Sequence, residues 1–198
     1  MLKRLQRGDT IIEVLLAVTV FSLVSVVSMT IMNRSANAAQ QAIEITLVRQ
    51  QIDAQVEALR AAHQAYSRLL TRDERENSMW VRLTSSTAVP ITPADGCPTQ
   101  EELRFHRAFI MNPQSASMLT TDDSAVISMS SEGAPVFPQF DSATGVGYGL
   151  WIEPTRVHAP NGTINDAYNF RVRACWFGPG MSSTPMNLET TVRLYDVG

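Results

Sequence analysis

Residues 11–32 read IIEVLLAVTVFSLVSVVSMTIM, an apolar run of 22 residues broken by one charge, Glu13. Wound as a helix at 1.5 Å per residue, the run reaches ~33 Å, the thickness of a bilayer's hydrocarbon core. The eight residues before it, MLKRLQRG, hold Lys3, Arg4 and Arg7 and no acid. Basic residues ahead of an apolar span predict an N-terminus on the cytoplasmic side and the rest of the chain outside. Ser22, Ser25, Ser28 and Thr30 are tolerable in such a helix, because a hydroxyl can bond back to the preceding turn.

Whole-chain averages hide this segment. The 198 residues carry a net charge of −3, 18% charged residues and a mean hydropathy of −0.04. So few charges argue against intrinsic disorder, and the near-zero hydropathy excludes a polytopic membrane protein. The mildly acidic balance argues against general nucleic-acid binding. Two cysteines are too few for a disulfide-dense miniprotein or a four-cysteine zinc module.

Glu13 needs an explanation, since a carboxylate in an apolar span is costly unless paired or near water. One reading is local: Thr10-Ile11-Ile12-Glu13 fits a capping box, and an acid suits the positive end of a helix dipole. A second reading takes the whole string Arg7-Gly8-Asp9-Thr10-Ile11-Ile12-Glu13-Val14-Leu15-Leu16. It resembles the class III signal of type IV prepilins and pseudopilins. That signal has a short basic leader ending in Gly, a Glu five residues after the cut, and a retained apolar helix.

The resemblance implies cleavage between Gly8 and Asp9 by a prepilin peptidase, with methylation of the new N-terminus on Asp9. It also implies that Glu13 sets subunit register by meeting the Asp9 amine of a neighbouring subunit, with Thr10 beside it. Each charge is less costly paired than alone in apolar surroundings. The implied partners are other pilin subunits, the peptidase, a platform protein and an assembly ATPase, and the membrane before assembly. Two departures stand out. The family usually has an apolar residue where this chain has Asp9, and major pilins commonly carry Pro or Gly in this helix. Here neither occurs from Asp9 to Val89, which favours a minor pilin or pseudopilin.

Two readings without polymerisation stay open. Ala36-Asn37-Ala38 fits a conventional signal-peptidase site, although the apolar run exceeds the ~7–15 residues of such signals. An uncleaved signal anchor carrying an unrelated surface binding protein is the other.

Beyond Met32 the composition changes while the helical period persists. Ile45, Val48, Ile52, Val56, Leu59, Ala62, Tyr66 and Leu69 recur every three or four residues as an amphipathic stripe. Gln40, Gln41, Glu44, Arg49, Asp53, Glu57, Arg60 and Arg68 lie largely off it, and His63 sits at its rim. Arg49–Asp53 and Arg72–Glu76 have the spacing of helical ion pairs. One helix from about Thr10 to about Thr71 is expected. Its division is a leader over 1–8, a transmembrane or filament-core half over 9–33 and an amphipathic half over 34–76.

A β-rich head is expected over 77–198. Candidate strands are Met79–Leu83, Arg104–Ile110, Ala125–Met129, Gly147–Glu153, Asn169–Phe177 and Leu188–Tyr195. Phe170, Val172, Ala174 and Trp176 alternate with Arg171 and Arg173, and the last strand can pair with theirs across the 178–186 loop, which holds Pro179 and Gly180. The fold class is α+β, a long helix followed by a mainly antiparallel sheet, which is also the type IV pilin-like fold. Outside the cytoplasm Cys97 and Cys175 are expected to form one disulfide, two buried thiols being the alternative. Closing so long a loop stabilises by roughly 4–5 kcal/mol in the chain-entropy model.

No catalytic motif emerges, so no enzyme activity, cofactor or metal is expected. Gly145-Val146-Gly147-Tyr148-Gly149 precedes a strand and not a helix, unlike a phosphate loop. His106, expected on one side of a strand, and His158 lack metal-ligand spacing. Asp122, Asp123 and Asp141 resemble the acids of a calcium site found in some pseudopilin heads, but they fit no EF-hand pattern and are expected as solvated loop acids. Asn33-Arg34-Ser35 and Asn161-Gly162-Thr163 match the short glycosylation sequon. Trp151, Trp176 and Phe177 are expected in the head's core. The resemblance therefore implies a filament subunit for adhesion, motility or DNA uptake, or a pseudopilin of a secretion or competence system. It would be held in the cytoplasmic membrane with its head outside, then incorporated into an extracellular fibre. Losing Lys3, Arg4 and Arg7 with the leader leaves 13 basic against 19 acidic residues and no lysine at all. Lysine-dependent covalent pilus assembly is then chemically closed, which leaves noncovalent helix packing.

Overall fold

A computed structural model describes residues 9–85, 91, 96–129, 135–157, 167–178 and 184–195, except the side chains of Asp9 and Thr10. The first element, α1 (Asp9–Ser67), runs 59 residues with no glycine or proline to break it. The chain divides into two compact units, 1–42 and 43–198. In the first, every described side chain of α1 is exposed or half-exposed. Among the described residues one helix, from Ile11, is long and apolar enough to cross a membrane.

The second unit begins within α1. Its other helices are α2 (Arg72–Glu76), α3 (Met79–Ser85) and α4 (Gln100–Phe105). Its strands are β1 (Phe109–Asn112), β2 (Ser117–Thr120), β3 (Val126–Ile127), β4 (Gln139–Asp141), β5 (Val146–Tyr148), β6 (Leu150–Val157), β7 (Ala167–Trp176) and β8 (Met186–Tyr195). Five of them form an antiparallel sheet in the order β2-β1-β6-β7-β8. A smaller sheet, β3-β5-β4, has one parallel and one antiparallel pairing. The class is α+β, as the order of sequence patterns predicts.

The stripe on α1 forms one wall of the core. Val48, Ile52, Val56, Leu59, Ala62 and Tyr66 are buried, and they join Phe170, Val172, Ala174 and Trp176 of β7 in a single cluster. Trp80 of α3 sits among them, its ring 5.8 Å from Tyr168, 5.6 Å from Phe170 and 4.7 Å from His63. His63 also bonds the Tyr195 carbonyl at 2.8 Å, a rim position as expected. Trp151 and Trp176 are buried, whereas Phe177 is partly exposed. The β7–β8 hairpin forms in the expected pairing, with Phe170 opposite Val192 and Ala174 opposite Leu188.

Several expectations need correction. Met79–Leu83 is helical: Ser78 Oγ accepts the Val81 amide, and Trp80 and Leu83 fall on one buried side at helical spacing. Arg104 and Phe105 end α4, so the expected strand begins only at Phe109. The cause is a capping box at Thr99, whose hydroxyl accepts from Glu102 N while the Glu102 carboxylate accepts from Thr99 N. His106 is the C-cap of that helix and not a strand residue. The expected strand Gly147–Glu153 is two strands in two sheets, divided at Gly149. There φ is +59°, a conformation glycine adopts readily. α1 ends at Ser67, earlier than Thr71, because Thr71 caps a separate short helix. Arg72 and Glu76 pair at 2.8 Å within that helix, while Arg49 and Asp53 do not pair with each other.

Candidate functional site: the N-terminal helix

Over residues 11–42 the apolar side chains of α1 are exposed among the described residues. Ile11 is 68% exposed, Phe21 73% and Met32 74%. Soluble monomers rarely expose contiguous apolar surface beyond a few hundred Å², so this surface requires lipid or protein around it. Three of the four hydroxyls named above are spent inside the helix, and Ser28 makes no such bond among the described residues. Ser22 donates to the Val18 carbonyl, Ser25 to Phe21 and Thr30 to Val26, each at 2.8–2.9 Å. Thr19 does the same to Leu16. Around these bonded hydroxyls the exposed surface presents mainly methyl and methylene groups.

Two described charges interrupt that surface, Glu13 near its start and Arg34 near its end. Both are exposed, and neither has a partner among the described residues. Gly8 lies outside the described residues, as do the side chains of Asp9 and Thr10. The cleavage point and any Thr10–Glu13 capping contact thus lie outside the described residues.

The head contains a different set of polar groups, buried ones, that the sequence did not disclose. Glu153 is 2% exposed and accepts from Trp151 Nε1 at 2.6 Å, Ile91 N at 3.1 Å and Arg173 at 3.2 Å. Arg173 in turn donates to the Ile91 carbonyl at 2.7 Å and approaches Glu189 at 3.4 Å. Every strong partner is met, so this is an internal ion pair clasping the backbone of residue 91 to the sheet. Gln55, wholly buried, uses its amide as a substitute strand. Nε2 donates to the Met111 carbonyl at 2.9 Å and Oε1 accepts the Met111 amide at 2.8 Å. Gln100 treats β3 likewise, through the Val126 carbonyl and the Ser128 amide. Glu44, expected off the stripe, is buried and accepts from Trp176 Nε1 at 3.3 Å.

Cys97 and Cys175 form the expected disulfide, with Cα atoms 5.5 Å apart. It ties the segment before α4 to β7. Among the described residues no group of three His, Cys, Asp or Glu gathers to hold a metal. Asp141 is occupied by the Ala143 amide and the Thr144 hydroxyl, and Asp123 by Thr120. These bonds hold both carboxyls below the usual aspartate range. Asp122 pairs with Arg104 at 3.4 Å. His158, Asn161-Gly162-Thr163, Pro179 and Gly180 lie outside the described residues.

Set beside known proteins, the chain matches no family model, no curated protein and no solved structure.

Proposed function

We propose that the chain is a prepilin-type filament subunit, anchored in the membrane by its N-terminal helix, cut between Gly8 and Asp9, and polymerised through that helix. One observation carries the reading. An exposed apolar helix with one early glutamate directly follows a basic, Gly-ended leader. The α+β class and the single disulfide are compatible with it. On this reading the helix lies in lipid before assembly and against other subunits' helices afterwards. The partners are the peptidase, a platform protein, a cytoplasmic ATPase and further pilins. The unbroken helix, free of Gly and Pro, favours a minor pilin or pseudopilin over a major subunit.

Co-expression with a prepilin peptidase followed by N-terminal sequencing tests this. A start at Asp9, abolished by Gly8→Ala, is the expected result. An intact Met1, or a start at Ala39, refutes it. Glu13→Ala leaves the cut intact and lowers incorporation into filaments.

A further inference from the structure

The two described charges of the apolar unit point to each other across copies. We propose that Glu13 of one copy pairs with Arg34 of a second, parallel copy displaced along the helix axis; the inference rests on the filament reading above and specifies its register. Neither residue has a side chain of opposite charge within reach on its own helix. One turn from Glu13 stand Asp9, Thr10, Leu16 and Ala17; one turn from Arg34 stand Thr30, Ile31, Asn37 and Ala38. The one cation that cleavage adds near Glu13 is the new Asp9 amine, and both side chains are exposed without a partner among the described residues.

Helix geometry fixes the displacement. The separation from 13 to 34 corresponds to ~31 Å of rise, whether reached by one neighbour or through several intermediate ones. The same separation leaves the two residues only ~60° apart around the helix, on one side of it. Copies that turn this side toward a shared bundle axis bring the Glu13 of one level to the Arg34 of another.

Charge chemistry selects Arg34 over the alternative cation. A new amine on Asp9 would sit beside that residue's own carboxylate, which partly cancels it. Arg34 has no acid beside it and offers a planar guanidinium fork that fits a carboxylate. In apolar surroundings an unpaired Glu13 is costly, so the displacement that pairs it is selected against others, as a buried polar residue selects coiled-coil register.

The test uses two differently tagged full-length copies, one carrying Val20→Cys and the other Gln41→Cys, expressed together with the peptidase, platform protein and assembly ATPase and oxidised in membranes and fibres. These positions keep the 21-residue offset, two turns along from the charged pair on nearly the same side of the helix. The native cysteines are already joined, so only the introduced thiols react. The expected result is a 20–41 cross-link at least about tenfold stronger than 20–20 or 41–41, lost in Arg34→Glu and regained in the Glu13→Arg/Arg34→Glu exchange. Equal cross-linking in all three combinations, or no recovery in the exchange, overturns the pairing. Cleavage at Asp9 is scored on the same samples. A chain cut and found in filaments without the 20–41 cross-link loses this inference alone. A chain never cut loses the filament reading, and its 20–41 cross-link is still read in the uncut form.

Discussion

Replacing Glu153 with alanine removes the acceptor at the centre of the head's internal ion pair. The side chain is 2% exposed and receives three donors, from Trp151, Ile91 and Arg173. Arg173, also buried, would keep the Ile91 carbonyl and the half-exposed Glu189 as its partners. Stripping one member from a buried pair costs roughly 3–5 kcal/mol, because the remaining charge stays out of water. For a domain of this size each kcal/mol moves Tm by about 2–4 °C, so a fall of roughly 10 °C is expected. Thermal unfolding of the full chain in detergent, followed by tryptophan fluorescence, reads this directly, because Trp151 loses its own acceptor. Arg173→Ala should destabilise comparably, and the double variant should cost well under the sum of the two, by about 2 kcal/mol. A single variant costing less than about 1 kcal/mol, or two costs that simply add, refutes the clasp.

Two further outcomes follow from local geometry. Gly149→Ala should destabilise by roughly 2–4 kcal/mol in denaturant titration, since a methyl there meets the Met129 side chain and comes 2.6 Å from the Cys175 carbonyl oxygen at a positive φ. The Glu102 carboxyl is held below its ordinary value of 4.5 by the Thr99 amide and then by its hydroxyl. A depressed folded value means the cap contributes fully above the unfolded pKa and is lost as pH falls through the lower, folded one. Carboxyl NMR titration should therefore show Glu102 titrating late on acidification, and Thr99→Ala should return it only part of the way toward 4.5, because the amide bond stays.

The elements legible in the sequence were those whose partners are near in the chain or whose period is long. The stripe from Val48 to Tyr66 and the alternation on β7 and β8 each repeat often enough to override single residues. Met79–Leu83 misled because Met, Trp, Val and Leu suit a strand, while the deciding contacts are the Ser78 cap and the distant Tyr168 and Phe170 rings. The helix that takes Arg104 and Phe105 out of the expected strand is written in the sequence, because Thr99-Gln100-Glu101-Glu102 is a capping box. Gly149 looked like any glycine in a Gly-rich strand, and its role as a divider depends on two sheets meeting there. The buried roles of Glu44, Gln55, Glu153 and Arg173 carry no sequence signal. Polar residues on a periodic face read as solvated until the covering backbone, such as that of Ile91, is in place. At the N-terminus the situation is reversed: the pattern from Gly8 to Met32 is plain in sequence, while its meaning depends on lipid or other copies.

The amide of Gln55 sets a limit on how this protein can age. Hydrolysis to glutamate would exchange its Nε2 donor for a second oxygen facing the Met111 carbonyl at what is now a 2.9 Å hydrogen bond. Two acceptors would then oppose each other inside a sealed core, with a new charge and no water to share it. Such a lesion would open α1 from β1 without touching the disulfide, so a worn head would still appear covalently intact. Glutamine deamidates more slowly than asparagine, and asparagine is one methylene too short to span the same gap. The choice of residue at position 55 thus joins reach to chemical durability.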